Sequence, residues 1–440
     1  MALSRGEDVP VLLASASSGG TIAAVRHLGA MEIKVGVISS GRLCAAAWSR
    51  FASDSYRGPP ENEERQFLER LIEISDASPG AVLLPTSDKT AWLYTINAPV
   101  LKERFRLYAP STACMRRVLD KELFAGAVAS AGLCVLPTWA PRTVGEIAKL
   151  ASSLPYPILI KPRTHVHRIR NDKGVVARSE AELISQYERF ARREQDQTIE
   201  DPQFPQPQLP ILQQFVNVGS DGVLSVTGFI DRTGELFVTR CSRKVFLRSQ
   251  PVGVGVCFES VPAIPELSAA VRQLCRDLDY CGIFEVEFVR FEGCWAAIDF
   301  NPRLFSQIGM DIRRGMPLPL FAYLAAAGET EALRAAVAKA ERECDHTETV
   351  FCDRFTLRAI ILAKTLTARL PRQDRAYWRA WIKRHGNHAV DFAADRNDQV
   401  PGLVHMLSEI NLGIKALPRF LCAKPGANIA MSPAFAKEPV

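Results

Sequence analysis

Residues 282–303 combine acidic and amide side chains in a pattern that can hold a divalent cation. Apolar residues alternate with Glu285 and Glu287, which predicts a strand with one buried face. After a turn, a second predicted strand leads to Asp299 and Asn301. In such a hairpin Glu287, Asp299 and Asn301 share one face, and two carboxylates with an amide oxygen suit a hard cation such as Mg²⁺ or Mn²⁺. An exposed hairpin whose acids serve no site is the alternative.

Basic residues that can neutralise phosphate occur elsewhere in the chain. Arg303 follows the hairpin in a loop, where a guanidinium meets phosphate oxygens as a rigid fork. Lys161 ends an apolar strand, YPILIK, just before a proline, and Lys121 lies in a predicted helix. Arg243 and Lys244 follow a predicted β-hairpin. Each of these residues can instead be a solvated surface cation, so their significance depends on whether they converge.

These motifs together resemble the ATP-grasp superfamily, which includes biotin carboxylase, carbamoyl phosphate synthetase, D-alanine–D-alanine ligase and D-aspartate ligase. The resemblance rests on Glu287 followed twelve residues later by the run DFNPR, on the lysine of YPILIKP, and on the segments AAVRHLG and VLLPTSD. Asp299 stands where the family more often has glutamate, which changes the ligand geometry but not the ligand type. The resemblance covers about residues 9 to 330 and is one of pattern, not of close identity.

The resemblance implies a role for each matching position. The implied assignments are Glu287, Asp299 and Asn301 for Mg²⁺, Lys121 and Lys161 for the phosphates of ATP, Arg243, Lys244 and Arg303 for the transferred phosphoryl group, and Gln213, Gln214, Phe215, Val216 and Asp221 for adenine and ribose. Further candidates for a substrate pocket are Ser306, Gln307, Asp311 and Arg313.

Two features depart from the family pattern. Gln214 replaces the usual glutamate, although backbone contacts to adenine survive that change. Residues 163–173 are rich in arginine and histidine where many family members have a glycine-rich flap. This basic loop either screens the triphosphate with point charges or is an ordinary solvated loop.

The N-terminal segment predicts the start of a βαβ unit. Apolar runs at residues 9–14 and 34–39 flank a helical pattern, which is typical of a parallel sheet. Gly19-Gly20 precedes that helix and either makes a tight turn or contacts substrate. Asp88 follows the strand at residues 81–84, where it either lines a ligand crevice or caps the next helix.

The expected fold is therefore α/β, with an α+β ATP-grasp fold at its centre. We expect a Rossmann-like parallel-sheet domain over residues 1–112 and a two-lobed ATP-grasp domain over 113–330, with the nucleotide lobe at about 135–218. A mostly helical extension follows over 331–440. Residues 194–210 are rich in Gln, Pro and Asp, which predicts a flexible insertion that does not pack on the body.

The composition restricts the class of protein. The net charge of +6 is mild and no dense basic stripe is present, so nucleic acid is not an expected partner. No apolar run reaches the ~18–20 residues that a membrane span needs, and no signal peptide is recognised. The 11 cysteines are scattered without CxxC pairs, which favours reduced, mostly buried thiols in a cytoplasmic protein.

The expected activity is the ATP- and Mg²⁺-dependent ligation of a small carboxylic acid to an amine, both amino-acid-like. The acid is activated as an acyl phosphate, and ADP and phosphate leave. Such chemistry needs positioning and charge neutralisation more than a nucleophilic side chain. The alternatives are activation of bicarbonate, as in biotin carboxylase or carbamoyl phosphate synthetase, and a nucleotide-binding regulator without catalysis. Dimers are common among the enzymes that the chain resembles, so a homodimer is a further expectation.

Overall fold

The structure is a computed structural model. It describes residues 9–143, 145–166, 173–195, 203–204, 207–218, 222–248, 252–343, 348–386 and 388–422. Within these ranges the strands are β1 Val11–Leu13, β2 Val35–Ser39, β3 Asp54–Arg57, β4 Val82–Leu84, β5 Cys134–Val135, β6 Thr138–Trp139, β7 Ile158–Lys161, β8 Val175–Ala177, β9 Ile211–Gln214, β10 Val223–Ile230, β11 Phe237–Leu247, β12 Gly255–Val261, β13 Gly282–Phe291, β14 Cys294–Asn301, β15 Val350–Cys352 and β16 Val390–Asp391.

Helices cover the sheets that these strands form. The described α-helices are α1 Gly19–Gly29, α2 Glu64–Ala77, α3 Asp88–Ile96, α4 Ala98–Leu101, α5 Thr112–Leu119, α6 Lys121–Ser130, α7 Gly145–Ala151, α8 Glu180–Gln195, α9 Pro265–Asp277, α10 Ile308–Arg313, α11 Leu318–Ala327, α12 Thr330–Arg342, α13 Arg354–Leu366, α14 Arg372–His385 and α15 Val400–Cys422. A short 3₁₀ helix spans Ala45–Trp48. Among the described residues, no helix is long and apolar enough to cross a bilayer.

The first sheet is parallel, with the strand order β3-β2-β1-β4. Val11 of β1 lies between Val35 of β2 and Val82 of β4. These three strands are buried along their whole length, as expected for a parallel sheet covered on both faces. The βαβ start predicted from the apolar runs is confirmed, and the carboxyl ends of β1, β2 and β4 share one edge.

The second sheet has eight strands in the order β16-β15-β12-β11-β10-β13-β14-β5. Strands β10 to β14 are antiparallel, and β13 pairs with β14 as the predicted hairpin. Phe284, Val286 and Phe288 fill the core on one face of β13, where helices α5, α6 and α9 pack. Because side chains alternate across a strand, Glu285 and Glu287 face the other side.

The third sheet has the order β6-β9-β7-β8 and is antiparallel throughout. Its core includes Ile158 and Ile160 of β7, with Leu183 and Tyr187 of α8 packed on them. Lys161 is the last residue of β7, so this sheet delivers a lysine toward the hairpin.

The expectation of a flexible, unpacked insertion at residues 194–210 is wrong for its described part. The side chain of Phe204 is fully buried, and its ring meets the edge of Trp92 with 4.7 Å between centroids. Leu209 is also buried, against the third sheet. The segment is polar on average, so its composition does not indicate that these two side chains are buried. One buried aromatic ring is enough to anchor a chain segment.

The prediction of reduced cysteines is wrong for one pair. Cys134 of β5 and Cys294 of β14 form a disulfide. The two residues are 160 positions apart in the sequence, and only the pairing of β5 alongside β14 brings them together. The buried free thiols are Cys44, Cys114, Cys241, Cys257, Cys275, Cys281 and Cys352.

Candidate active site

The hairpin brings the three predicted metal ligands to one place. Glu287 of β13 and Asp299 of β14 are direct cross-strand partners. Asn301 pairs with Glu285 two residues along the same face, and its Nδ2 lies 3.4 Å from Glu287 Oε1. The period-two pattern in the sequence thus translates into a cluster of oxygen-bearing side chains.

Each of the two carboxylates holds a lysine ammonium. Lys121 Nζ donates to Asp299 Oδ1 and Lys244 Nζ donates to Glu287 Oε1, both at 2.5 Å. Burial opposes ionisation of Asp299, yet the Lys121 charge holds the pKa of Asp299 well below its usual range. Burial opposes the charged form of Lys244 too, but Glu287 raises the Lys244 pKa above its ordinary value. This face therefore combines carboxylate oxygens, the ligand type that Mg²⁺ prefers, with lysine ammonium groups.

Two further lysines approach the same cluster. Lys161 Nζ donates to the Ile298 carbonyl oxygen at 3.0 Å, and the side chain is nearly buried. Burial and the neighbouring Lys121 charge lower the pKa of Lys161 to about 7. Burial also lowers the pKa of Lys173, while Asp299 partly opposes that shift. Sequence reasoning missed Lys173 as an individual residue, since its only signal was the basic character of the surrounding loop.

The described part of the basic loop contains a structural arginine. Arg163 is buried, and its guanidinium donates to Asp120 Oδ2 at 2.8 Å and to Glu122 Oε2 at 2.5 Å. Asp120 is also the N-cap of α6. Arg163 therefore fixes the loop to the start of the helix that carries Lys121, and it is not a cation directed at a ligand. Residues 167–172 lie outside the described residues.

A third carboxylate, Glu285, lies beneath the cluster and orders it. It accepts hydrogen bonds from Ser225 Oγ at 2.7 Å, Gln307 Nε2 at 2.5 Å and Asn301 Nδ2 at 3.0 Å. Burial raises the pKa of Glu285. Because the Asn301 amide nitrogen is directed at Glu285, its oxygen is left on the other side, where it accepts from Arg303 Nη2 at 2.8 Å. In the sequence, Glu285 is marked only by its place on the polar side of a strand.

Arg303 connects the hairpin to the first sheet. Its Nε donates to Asp88 Oδ1 at 2.9 Å. Asp88 is the first residue of α3, whose N-cap is Ser87 with a capping box. The alternative that Asp88 serves as the cap is therefore wrong, because Ser87 fills that role and frees Asp88 to bind Arg303. Burial opposes the Arg303 charge, but Asp88 raises the pKa of Arg303 above its ordinary value.

The two glycines at the start of α1 are required by close packing. A Cβ atom on Gly20 would lie 2.6 Å from the Phe305 carbonyl oxygen, and one on Gly19 would lie 3.1 Å from that of Ser306. No side chain larger than hydrogen fits this approach without a shift. The amino end of α1 thus abuts the loop that follows Arg303.

The predicted adenine strand lies at the centre of the third sheet. Gln213 Nε2 donates to Thr138 Oγ1 at 3.0 Å, and the Gln214 and Phe215 backbone N–H groups donate to carbonyl oxygens at 2.9 and 3.1 Å. Val216 packs beside a small cluster next to the hairpin. Asp221 lies outside the described residues. The nucleotide-binding roles of this run stay a prediction.

Three of the predicted site residues lie outside the cluster of side chains on the β13–β14 hairpin. Arg243 donates to Glu259 at 3.0 Å and, as the neighbour of Lys244 along β11, it points to the opposite face of the sheet. Arg313 is exposed on α10. Asp311 is buried, and this burial raises its pKa to about 6.

No protein-family model matches this chain, and no curated protein sequence does either. Solved structures do match. The biotin carboxylase domain dimer of Hydrogenobacter thermophilus 2-oxoglutarate carboxylase, solved with MgADP, ADP and bicarbonate, has a TM-score of 0.57 and 15% identity, over 72% of this chain and 69% of that one.

Two other solved structures show the same similarity. Biotin carboxylase from Campylobacter jejuni, in complex with β-γ-ATP, has a TM-score of 0.57 and 16% identity, over 78% of this chain and 75% of that one. N5-carboxyaminoimidazole synthetase from Staphylococcus aureus has a TM-score of 0.54 and 13% identity, over 74% and 78% of the two chains. These neighbours are ATP-grasp proteins, and the chain has the ATP-grasp fold.

Proposed function

We propose that this protein is an ATP- and Mg²⁺-dependent ligase that joins a small carboxylic acid to an amine and releases ADP and phosphate. One observation carries the proposal, which is the convergence of acidic oxygen donors and lysines on a single hairpin face. Glu287 and Asp299 are paired across the hairpin and each already holds an ammonium ion. A face that combines charged oxygen donors with several cations suits a metal–triphosphate complex.

The side chains present fit Mg²⁺ and ATP. Glu287, Asp299 and Asn301 would hold the metal, which when bound neutralises the phosphate oxygens. Lys121 and Lys244, which lie beside the same carboxylates, would be available to bind phosphate oxygens. The neighbours solved with MgADP and with a β-γ-ATP complex support this choice of ligand.

Arg303 is the residue that would act on the group being transferred. Its guanidinium is oriented on two sides, by Asp88 and by the Asn301 amide oxygen. A cation held in this way needs no reorganisation when negative charge develops nearby. We propose that it stabilises the phosphoryl group in transfer and then the oxyanion formed when the amine attacks the acyl phosphate.

Activation of bicarbonate is the second candidate. Its support is that two of the similar structures are biotin carboxylases, one of which was solved with bicarbonate. An ADP-release assay distinguishes the two reactions, because an enzyme that activates bicarbonate releases ADP when bicarbonate is present and no amine is added.

The test is an ADP-release screen over pairs of acids and amines with Mg²⁺. Hydroxylamine should trap the activated acid as its hydroxamate, and ¹⁸O placed in the carboxylate of the acid should appear in inorganic phosphate. Asp299→Asn protein, purified in parallel, controls for contaminating ATPase. Formation of AMP would overturn the mechanism, and nucleotide binding with no ADP from any pair would instead favour the regulator.

A further inference from the structure

A cavity of about 350 Å³ lies at the carboxyl edge of the first sheet, apart from every residue assigned above. The loop between β1 and α1 contributes one wall, the segment after β3 contributes a second, and Val166 contributes a third. The lining includes Ser15, Ser17, Ser40, Glu61, Lys89 and Val166. The carboxyl edge of a parallel sheet is where α/β proteins place their ligands.

The described wall of this cavity includes a carboxylate, Glu61. Glu61 accepts hydrogen bonds from Ser15 Oγ and from Ser87 Oγ, the latter at 2.5 Å. Hydroxyl groups fix the position of a carboxylate without neutralising its charge, and a carboxylate has about four acceptor sites. Lys89, the cation of the lining, forms an ion pair with Glu64. Among the described lining residues, Glu61 is the carboxylate that hydroxyl groups hold.

The backbone at Ser15 supports a functional placement. Ser15 has a φ of +47°, in the left-handed region that residues with a side chain rarely adopt. This conformation accompanies the hydrogen bond from its hydroxyl to Glu61, and Thr86 Oγ1 donates to the same hydroxyl at 3.0 Å. Backbone strain of this kind clusters at functional sites.

The cavity is connected to the hairpin cluster. Ser87, which holds Glu61, is followed by Asp88, which accepts from Arg303. Ser17 in the cavity wall precedes the amino end of α1, which abuts the loop after Arg303. Glu287 and Asp299 of the hairpin cluster already hold lysine ammonium groups, so an ammonium ion from a substrate would have to displace one of them. An amine substrate therefore needs an anionic site of its own beside that cluster.

We propose that this cavity binds the amine substrate as a small primary ammonium ion, with Glu61 as its counter-ion. The inference rests on the proposed ligase function, because only that function requires an amine. Its volume suits a compound of amino-acid size, near the lower limit of small-molecule pockets.

The test measures binding in the absence of nucleotide, so that no reaction step is involved. Isothermal titration calorimetry is run with free amino acids and short aliphatic diamines, each beside its N-acetyl derivative. We expect some of the primary amines to bind and N-acetylation to weaken that binding at least tenfold. Glu61→Gln should cause a similar loss. Glu63→Gln removes an exposed carboxylate two residues away and should bind amines as the unaltered protein does.

A second variant tests the cavity without touching Glu61. Ser40 is exposed at the rim, so Ser40→Trp should fill the cavity, preserve the thermal midpoint and abolish amine binding. The inference is overturned if no amine binds, if Glu61→Gln and Ser40→Trp bind amines normally, or if acetate or inorganic phosphate binds in their place.

The outcome is separable from that of the proposed function. ADP release from an acid–amine pair, with the amine KM unchanged in Glu61→Gln, would refute only the amine site. Glu61-dependent amine binding, with no ADP from any pair, would refute only the ligation.

Discussion

At the scale of single residues, the site depends on opposite charges that compensate each other's burial. Glu287 and Asp299 are both largely shielded from solvent, and each is paired with a lysine of similar burial. A buried charge without a partner is strongly destabilising, so these pairs can persist only together. The Lys121 charge also lowers the pKa of Asp299, which keeps that carboxylate ionised.

We predict that Glu287→Gln and Asp299→Asn each reduce ADP release by about 10²-fold or more, because an amide keeps the shape but loses the charge that holds the metal. The measurement is a coupled ADP assay over a range of Mg²⁺ concentrations. Glu266→Gln, on the exposed side of α9, is the matched control. Near-normal turnover with unchanged Mg²⁺ dependence in both variants would contradict the assignment.

We predict that Glu285 supports Mg²⁺ binding indirectly, by orienting the amide of Asn301. Glu285→Ala should raise the half-saturating Mg²⁺ concentration by about 10–100-fold, since the amide of Asn301 loses the acceptor that orients it. Glu285→Gln retains an oxygen acceptor and should recover most of the affinity. A purely structural role predicts instead that the two variants share one Mg²⁺ dependence and differ only in thermal midpoint.

The sequence predicted the hairpin cluster because its spacing is local. Glu287, Asp299 and Asn301 lie within one β-hairpin, where a period of two fixes the shared face. The Asp88–Arg303 contact joins residues 215 positions apart, and no local pattern encodes it. The sequence also did not predict which face of the sheet Arg243 points to, because that face depends on how β11 pairs with its neighbouring strands.

At the scale of elements, the longer periodic segments were predicted well. Helix α1 and strands β2 and β13 agree with their sequence patterns to within a few residues. Short strands such as β5 and β15 were not predicted, because two or three residues carry no periodicity and are ordered only by the sheet they join. The prediction for residues 194–210 was wrong for a related reason, since isolated buried side chains such as Phe204 and Leu209 form no repeat.

We predict that Phe204→Ala lowers the free energy of unfolding by about 3–5 kcal/mol, the range for removing a buried aromatic side chain. Urea denaturation followed by circular dichroism measures it. Leu366→Ala, on an exposed residue of α13, should change stability by less than about 0.5 kcal/mol. Equal stability of the two variants would restore the original expectation that this segment does not pack on the body.

At the scale of the whole molecule, residues in the C-terminal part of the chain contact residues in the N-terminal part. Strand β15 adds to the central sheet beside β12, so the residues after 330 contribute to the sheet as well as the helices. Asp398 accepts hydrogen bonds from Arg26 Nε at 2.8 Å, Ser49 Oγ at 2.7 Å and the Arg50 backbone N–H at 3.0 Å. The domain limits at 112 and 330 stay a prediction.

The Asp398 contacts predict that the C-terminal part stabilises the first sheet. Asp398→Ala leaves the partly buried Arg26 guanidinium without its carboxylate, and removing one partner of a buried ion pair costs ~3–5 kcal/mol. Because Arg26 keeps some solvent contact, we expect a loss near the lower end of that range, measured by urea denaturation. Asp395→Ala, an exposed aspartate three residues earlier, should have little effect. Limited trypsin digestion should then cleave the Asp398→Ala protein faster between residues 394 and 400 than the Asp395→Ala protein, because the segment has lost its anchor. Equal stability and equal cleavage would show that other contacts hold the two ends of the chain together.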